Sequence, residues 1–140
     1  MGTMILIKNL GKVIGLVEAD RSMTDEEAFE ALGMIKQETD YPWEVDYRSY
    51  NGKDYRFDDL STETISNKTR LYIVIDHKGC DEWTETYNNL YDAIKEAHNQ
   101  WNLMCNADQK NRDEFYVLES VADTIEADNA FDGDRIAEWT

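Results

Sequence analysis

Five consecutive apolar residues, Leu71-Tyr-Ile-Val-Ile75, stand between Arg70 and Asp76, and they constrain the fold more than any other stretch of the chain. A short unbroken apolar run with β-branched members reads as a strand covered on both faces, the centre of a sheet and not its edge. Downstream, Leu90, Ala93, Ile94, Ala97, Trp101 and Met104 recur at i, +3, +4, +7, +11 and +14. That spacing places them on one stripe of a helix, which needs an apolar partner to cover it. Asn88 or Asn89 is positioned to cap its start. A central strand and a one-sided helix so close in sequence point to a helix lying on a sheet.

The remaining elements follow from local pattern. Met4–Leu10 and Lys12–Glu18 are β-rich runs around Asn9-Leu-Gly11 and read as a hairpin. Thr24 with Glu27 three residues later forms a capping box, so a helix is predicted from there to about Gln37, with Ala28, Leu32 and Ile35 on its buried side. Pro42 ends any helical path. Trp43–Ser49 alternates apolar and polar residues like a half-buried strand, and Asn51-Gly52 supplies the positive φ angles of a type I′ turn into Tyr55–Phe57. Ser61–Thr69 is polar and reads as a loop. A turn at His77–Cys80 leads to a strand near Glu82–Tyr87, and the polar stretch Asn106–Asp113 precedes a last strand, Phe115–Val121. Phe131, Ile136 and Trp139 are expected to pin an acidic tail with an Asp132-Gly133 turn back onto the body.

These elements form an α+β architecture with a largely antiparallel sheet and two main helices. Two ββαβ units overlay at offsets of about 65–72 residues, with first strands near 4 and 71, helices near 24 and 89 and last strands near 43 and 115. The chain of 140 residues, 41% of them hydrophobic, is sized for a single domain, with internal halves 1–69 and 70–140.

Charge bounds the function. The chain has 30 acids against 14 Lys and Arg, a net of −16. Residues 1–70 carry −5 and residues 71–140 carry −11, and 113–140 alone hold nine acids and one base, Arg135. Ordinary nucleic-acid binding is disfavoured, because it needs a basic footprint. No apolar run approaches the length of a membrane span, and Met1–Ile7 lacks the basic region and cleavage site of a secretory signal. Two cysteines, Cys80 and Cys105, are too few for a disulfide framework, so a cytoplasmic protein with reduced thiols is expected.

Three constellations invite chemistry. His77, Cys80, His98 and Cys105 are zinc-ligand types, but a continuous helix through His98 and Cys105 holds their backbones roughly 10 Å apart along its axis. Asp123–Asp134 is rich in carboxylates, yet Gly133 follows the acidic positions where a calcium loop needs a central glycine. No metal and no cofactor is therefore expected. The third is Asp76-His-Lys78 after the apolar strand, with Asp58 or Asp59 near the end of a predicted neighbouring strand. It resembles the PD-(D/E)xK nuclease pattern, which implies two acids holding Mg²⁺ and a lysine positioning the attacking water. That family's proline before the first acid is missing, and a chain at −16 repels a nucleic-acid substrate.

Tyr91-Asp-Ala-Ile-Lys-Glu-Ala97, Gln100-Trp101, Arg112, Phe115–Ser120 and Phe131-Asp-Gly-Asp134 with Ile136 and Trp139 resemble small acidic proteins of phages and mobile elements of Gram-positive bacteria. The resemblance covers about the last 50 residues. It implies the roles such proteins commonly have, above all inhibition of host defence systems, and brings no site residues with it. The leading expectation is a non-enzymatic interaction protein. It would present Asp113, Glu114, Glu119, Asp123, Glu126, Asp128, Asp132 and Asp134, in the manner of a DNA mimic, to the basic surface of a nucleic-acid-handling protein. The alternatives are a small Mg²⁺-dependent nuclease using Asp58 or Asp59, Asp76 and Lys78, and an accessory or oligomerising protein.

Overall fold

The computed structural model of the chain describes residues 3–37 and 46–139. It is α+β with antiparallel sheets, and it divides into two compact units, Met1–Ile65 and Ser66–Thr140. The predicted strand segment Trp43-Glu-Val45 and Pro42 lie outside the described residues.

In the first unit β1 (Thr3–Asn9) and β2 (Lys12–Ala19) form a hairpin whose turn residues Leu10 and Gly11 take φ of +52° and +82°. The helix α1 (Asp25–Leu32) then crosses, and Ala28 and Phe29 pack with Ile5, Ile7, Val17 and Met34 into one core. Thr24 and Glu27 form both bonds of the capping box. The helix stops earlier than its apolar pattern predicts. Gly33 adopts the left-handed conformation at φ +97° and donates its N–H to Glu30 O, a conformation only glycine enters freely. Ile35, expected on the buried side of the helix, is instead 67% exposed in β3 (Ile35–Lys36).

The strand β3 pairs with β4 (Tyr47–Tyr50), and β4 forms a hairpin with β5 (Lys53–Arg56). Asn51 and Gly52 turn that hairpin at φ +52° and +78°. Beyond a short 3₁₀ turn, Phe57–Asp59, the segment read as a loop is a strand, β6 (Leu60–Ile65), antiparallel to β1. Its side chains are only half-buried or exposed, so it carries little apolar signal, and backbone pairing to β1 holds it.

The second unit repeats the order hairpin, helix, strand. The hairpin is β7 (Thr69–Lys78) with β8 (Asp81–Asn89), followed by α2 (Leu90–Leu103), α3 (Asn106–Lys110), β9 (Glu114–Ser120) and β10 (Gly133–Glu138). The sheet order is β10-β9-β7-β8, so the apolar run Leu71–Ile75 is central. Asn89 caps α2, its Oδ1 accepting from Asp92 N–H at 3.1 Å. Leu90, Ala93, Ile94 and Ala97 are buried, and Trp101 stands 5.5 Å from the Phe115 ring. In each unit a strand that comes later than the helix lies beside the first strand of the hairpin: β6 beside β1, β9 beside β7. In the first unit the strand in that position is β6, with β3, β4 and β5 forming a separate small sheet ahead of it, and residue 43 lies outside the described residues.

Three further readings are corrected in this unit. The helix does not continue to Cys105; it ends at Leu103, and Cys105 is the N-cap of α3, which lies in the polar stretch Asn106–Asp113. The tail carries a strand, β10, kinked by a register shift between Arg135 and Ala137. Trp139 is buried as expected, whereas Phe131, expected to pin the tail, is 49% exposed.

Candidate interaction surface

The acidic residues divide by what holds them. Three serve the fold. Asp113 Oδ2 accepts the Gly79 N–H at 2.7 Å and its own N–H donates to His77 O at 2.9 Å, so it closes the β7–β8 turn. Glu114 receives Arg135 Nη1 at 2.9 Å, and that guanidinium holds the Glu114 carboxyl below the usual carboxylate range. Arg135 itself lies 3.9 Å above the Tyr116 ring. Glu119 is 3.4 Å from Arg70 Nη1 and faces Asp134 across the β9–β10 ladder. These three were expected on a free acidic face; their pairing removes Glu114 and Glu119 from it and gives Asp113 a structural task.

The other five, Asp123, Glu126, Asp128, Asp132 and Asp134, are exposed, and none forms an ion pair among the described residues. Four of them ride on the arm 121–132 between β9 and β10. Apart from Val121, Ile125 and Phe131 its residues are small or polar and it forms no helix or strand, but the arm is tied down. Val121 N–H donates to Asp132 O at 3.0 Å and closes its base. The buried Ser120 Oγ donates to Ala130 O at 2.6 Å and accepts the Ala122 N–H at 3.0 Å. Ala130 is fully buried, and Ile125 packs against Leu71, Ile73, Ile75 and Leu118. Gly133 sets the exit at φ +144°, where a Cβ would come 2.0 Å from Glu119 O. Val121 and Phe131, 55% and 49% exposed, stand at the base among the free acids.

The nuclease reading expects Asp58 or Asp59 near the end of a strand neighbouring that of Asp76 and Lys78, and the sheets do not supply that adjacency. Asp58 and Asp59 follow β5 in the 3₁₀ turn of the first unit, while Asp76 and Lys78 are in β7 of the second. The sheet neighbours of β7 are β8 and β9, so no strand carrying Asp58 or Asp59 adjoins it. Asp76 is instead engaged by Arg112, whose Nε lies 2.9 Å from Oδ1. The contact is too oblique for a hydrogen bond, so both buried atoms are held by charge alone.

The zinc-ligand types are also apart in role. His98 Nδ1 accepts from Trp139 Nε1 at 3.0 Å, and Cys80 and Cys105 are exposed free thiols. Among the described residues no three His, Cys, Asp or Glu side chains converge as metal ligands would, and no helix is long and apolar enough to cross a membrane.

The chain matches no protein-family model, no curated protein and no solved structure.

Proposed function

We propose that this chain is a non-enzymatic interaction protein whose acidic arm docks on a basic protein surface, competing there with nucleic acid. The observation that carries the reading is the arm itself: exposed carboxylates without ion pairs among the described residues, on a backbone tied down at Ser120, Val121 and Ala130, with Phe131 and Val121 exposed at its base. Preorganised charge costs little ordering entropy on binding and steers a basic partner from a distance. An exposed aromatic within a charged rim is the composition from which interface hot spots are built. The exposed thiols of Cys80 and Cys105 suit a reducing compartment such as cytoplasm. The resemblance of the C-terminal part to small acidic phage proteins directs the partner class toward nucleic-acid-handling defence enzymes.

The test is a pull-down from host lysate at low and high ionic strength. One bait is the native chain; the other carries Asp123→Asn, Glu126→Gln, Asp128→Asn, Asp132→Asn and Asp134→Asn. A nucleic-acid-handling enzyme with a basic groove should be retained by the native bait at low salt only, and its activity should fall on adding the chain. Equal retention by the neutralised bait, or no basic protein enriched by the native one, sinks the reading.

A further inference from the structure

The strand β8 is the edge of its sheet, and of the usual protections of an edge it carries only charge, in Asp81, Glu82 and Glu85. It runs nine residues without proline, glycine, lysine or arginine, and it keeps unbroken register with β7 from Asp81 to Tyr87. By contrast, β10 at the opposite edge is six residues long, begins at Gly133, is kinked by a register shift and carries Arg135. A long, straight edge with unpaired backbone donors and acceptors is a template for another strand, and folded proteins normally blunt it. Among the described residues β8 has no strand partner but β7, and its backbone makes no other backbone hydrogen bond.

The side chains say which strand would fit. Directly paired residues share a face, so Asp81, Trp83, Glu85 and Tyr87 alternate along one side of β8, while Glu82 and Thr84 lie on the other. Trp83 is 49% exposed, an aromatic that an edge guarded only for solubility has no reason to carry. Asp81, Glu82 and Glu85 form no ion pair among the described residues. Gln100 of α2 donates to Glu85 at 3.1 Å and to Glu96 at 3.3 Å, holding two carboxylates beside the strand with one amide. Burial first, and then the Glu85 carboxylate that accepts its proton and the charges of Glu96 and Asp92, push the Tyr87 hydroxyl up. A second copy of β8 would set acid against acid and be repelled. A basic strand would lay cations over Trp83 and against Asp81, Glu82 and Glu85.

We propose that β8 accepts an extended, lysine- or arginine-rich segment of a partner protein as a fifth strand of the sheet. The proposal rests on the reading of the chain as a binder of basic proteins and moves a contact to a surface separate from the arm. The backbone ladder would supply affinity, and the alternating Asp81-Trp83-Glu85 side would select positive charge at every second residue of the guest.

The experiment uses a capped nine-residue peptide alternating lysine and threonine, and a second of equal charge with proline at alternate positions, which cannot join a ladder. Amide hydrogen exchange of the full chain is followed with each. The first peptide should slow exchange across 81–87 and the proline peptide should not. Trp83→Ala and the pair Glu82→Lys with Glu85→Lys should each weaken the protection roughly tenfold. The arm variant with Asp123, Asp128, Asp132 and Asp134 changed to Asn should leave it intact. Protection confined to 121–134 overturns the proposal while leaving the arm reading standing; protection nowhere overturns it and counts against both. Equal protection by the two peptides, or a dimer of the chain that buries β8, overturns it as well.

Discussion

Trp139 donates its indole Nε1–H to Nδ1 of His98 at 3.0 Å, joining the end of the chain to the middle of α2. An indole N–H is only a donor, so Nδ1 carries no proton and the neutral ring is the Nε2–H tautomer. Asn102 Nδ2 stands 3.1 Å from Nε2, so only the flipped amide, with its oxygen in that place, would accept the Nε2–H. Burial lowers the His98 pKa below the ordinary 6.5.

The unfolded chain thus takes up a proton at His98 at higher pH than the folded chain does. Between the two pKa values the unfolded state binds more protons, so this contribution is whole above about pH 6.5 and is lost as pH falls through the lowered folded value. Urea midpoints measured from pH 7.5 down to 5.5 should show the loss, and His98→Gln should flatten it. An unchanged pH slope in that variant would remove His98 as its source.

At Gly133 two constraints coincide: φ of +144° and a Cβ position 2.0 Å from Glu119 O. Gly133→Ala must displace backbone where β10 joins β9, and is expected to cost about 2–4 kcal/mol. Gly52 has φ of +78° with open space around it, so Gly52→Ala carries only the conformational cost of about 1–2 kcal/mol. Denaturant unfolding of the two variants side by side checks the order.

How much of this was legible in sequence depends on range. The Thr24–Glu27 capping box, the Asn89 cap, the Asn51-Gly52 turn and the α2 stripe are local patterns, and each forms as read except that the stripe stops short of Met104, which lies past the helix end. The strands β6 and β10 escaped because an edge strand draws its stability from a partner's backbone; Thr62, Glu63 and Asp134 announce nothing by themselves. Gly33 was the available signal for the end of α1, outweighed by the apolar spacing that runs on to Ile35. At the surface, the acid-rich tail was visible, but Arg70 reaching Glu119 depends on β7 lying beside β9, and no composition encodes that register.

Arg48 is buried at 2% exposure, paired with Glu26 at 2.9 Å and with Asp46, its guanidinium 4.7 Å from the centre of the Phe57 ring. The two acids keep substantial exposure, so on loss of the arginine they return to water at little cost. The loss falls instead on packing against Phe57. Arg48→Met should therefore destabilise by about 1 kcal/mol and Arg48→Ala by about 2–3. Equal costs for the two, read by chemical denaturation, would mean that charge and not packing sets the value.

Ser120 is the hinge on which the arm reading turns. Its buried hydroxyl donates to Ala130 O and accepts from Ala122 N–H, so one atom satisfies backbone groups on both sides of the arm. Ser120→Ala strands the buried Ala130 carbonyl and should cost about 1–3 kcal/mol. The substitution leaves Leu118, Val117 and the α2 packing untouched, so the loss should be local. Amide exchange should quicken at 122–130 and stay slow at 71–75 in the central strand. If preorganisation of the arm drives binding, the variant should also release its basic partner faster with every carboxylate still present. Fast arm exchange with an unchanged dissociation rate would show that charge alone, and not its fixed placement, carries the interaction.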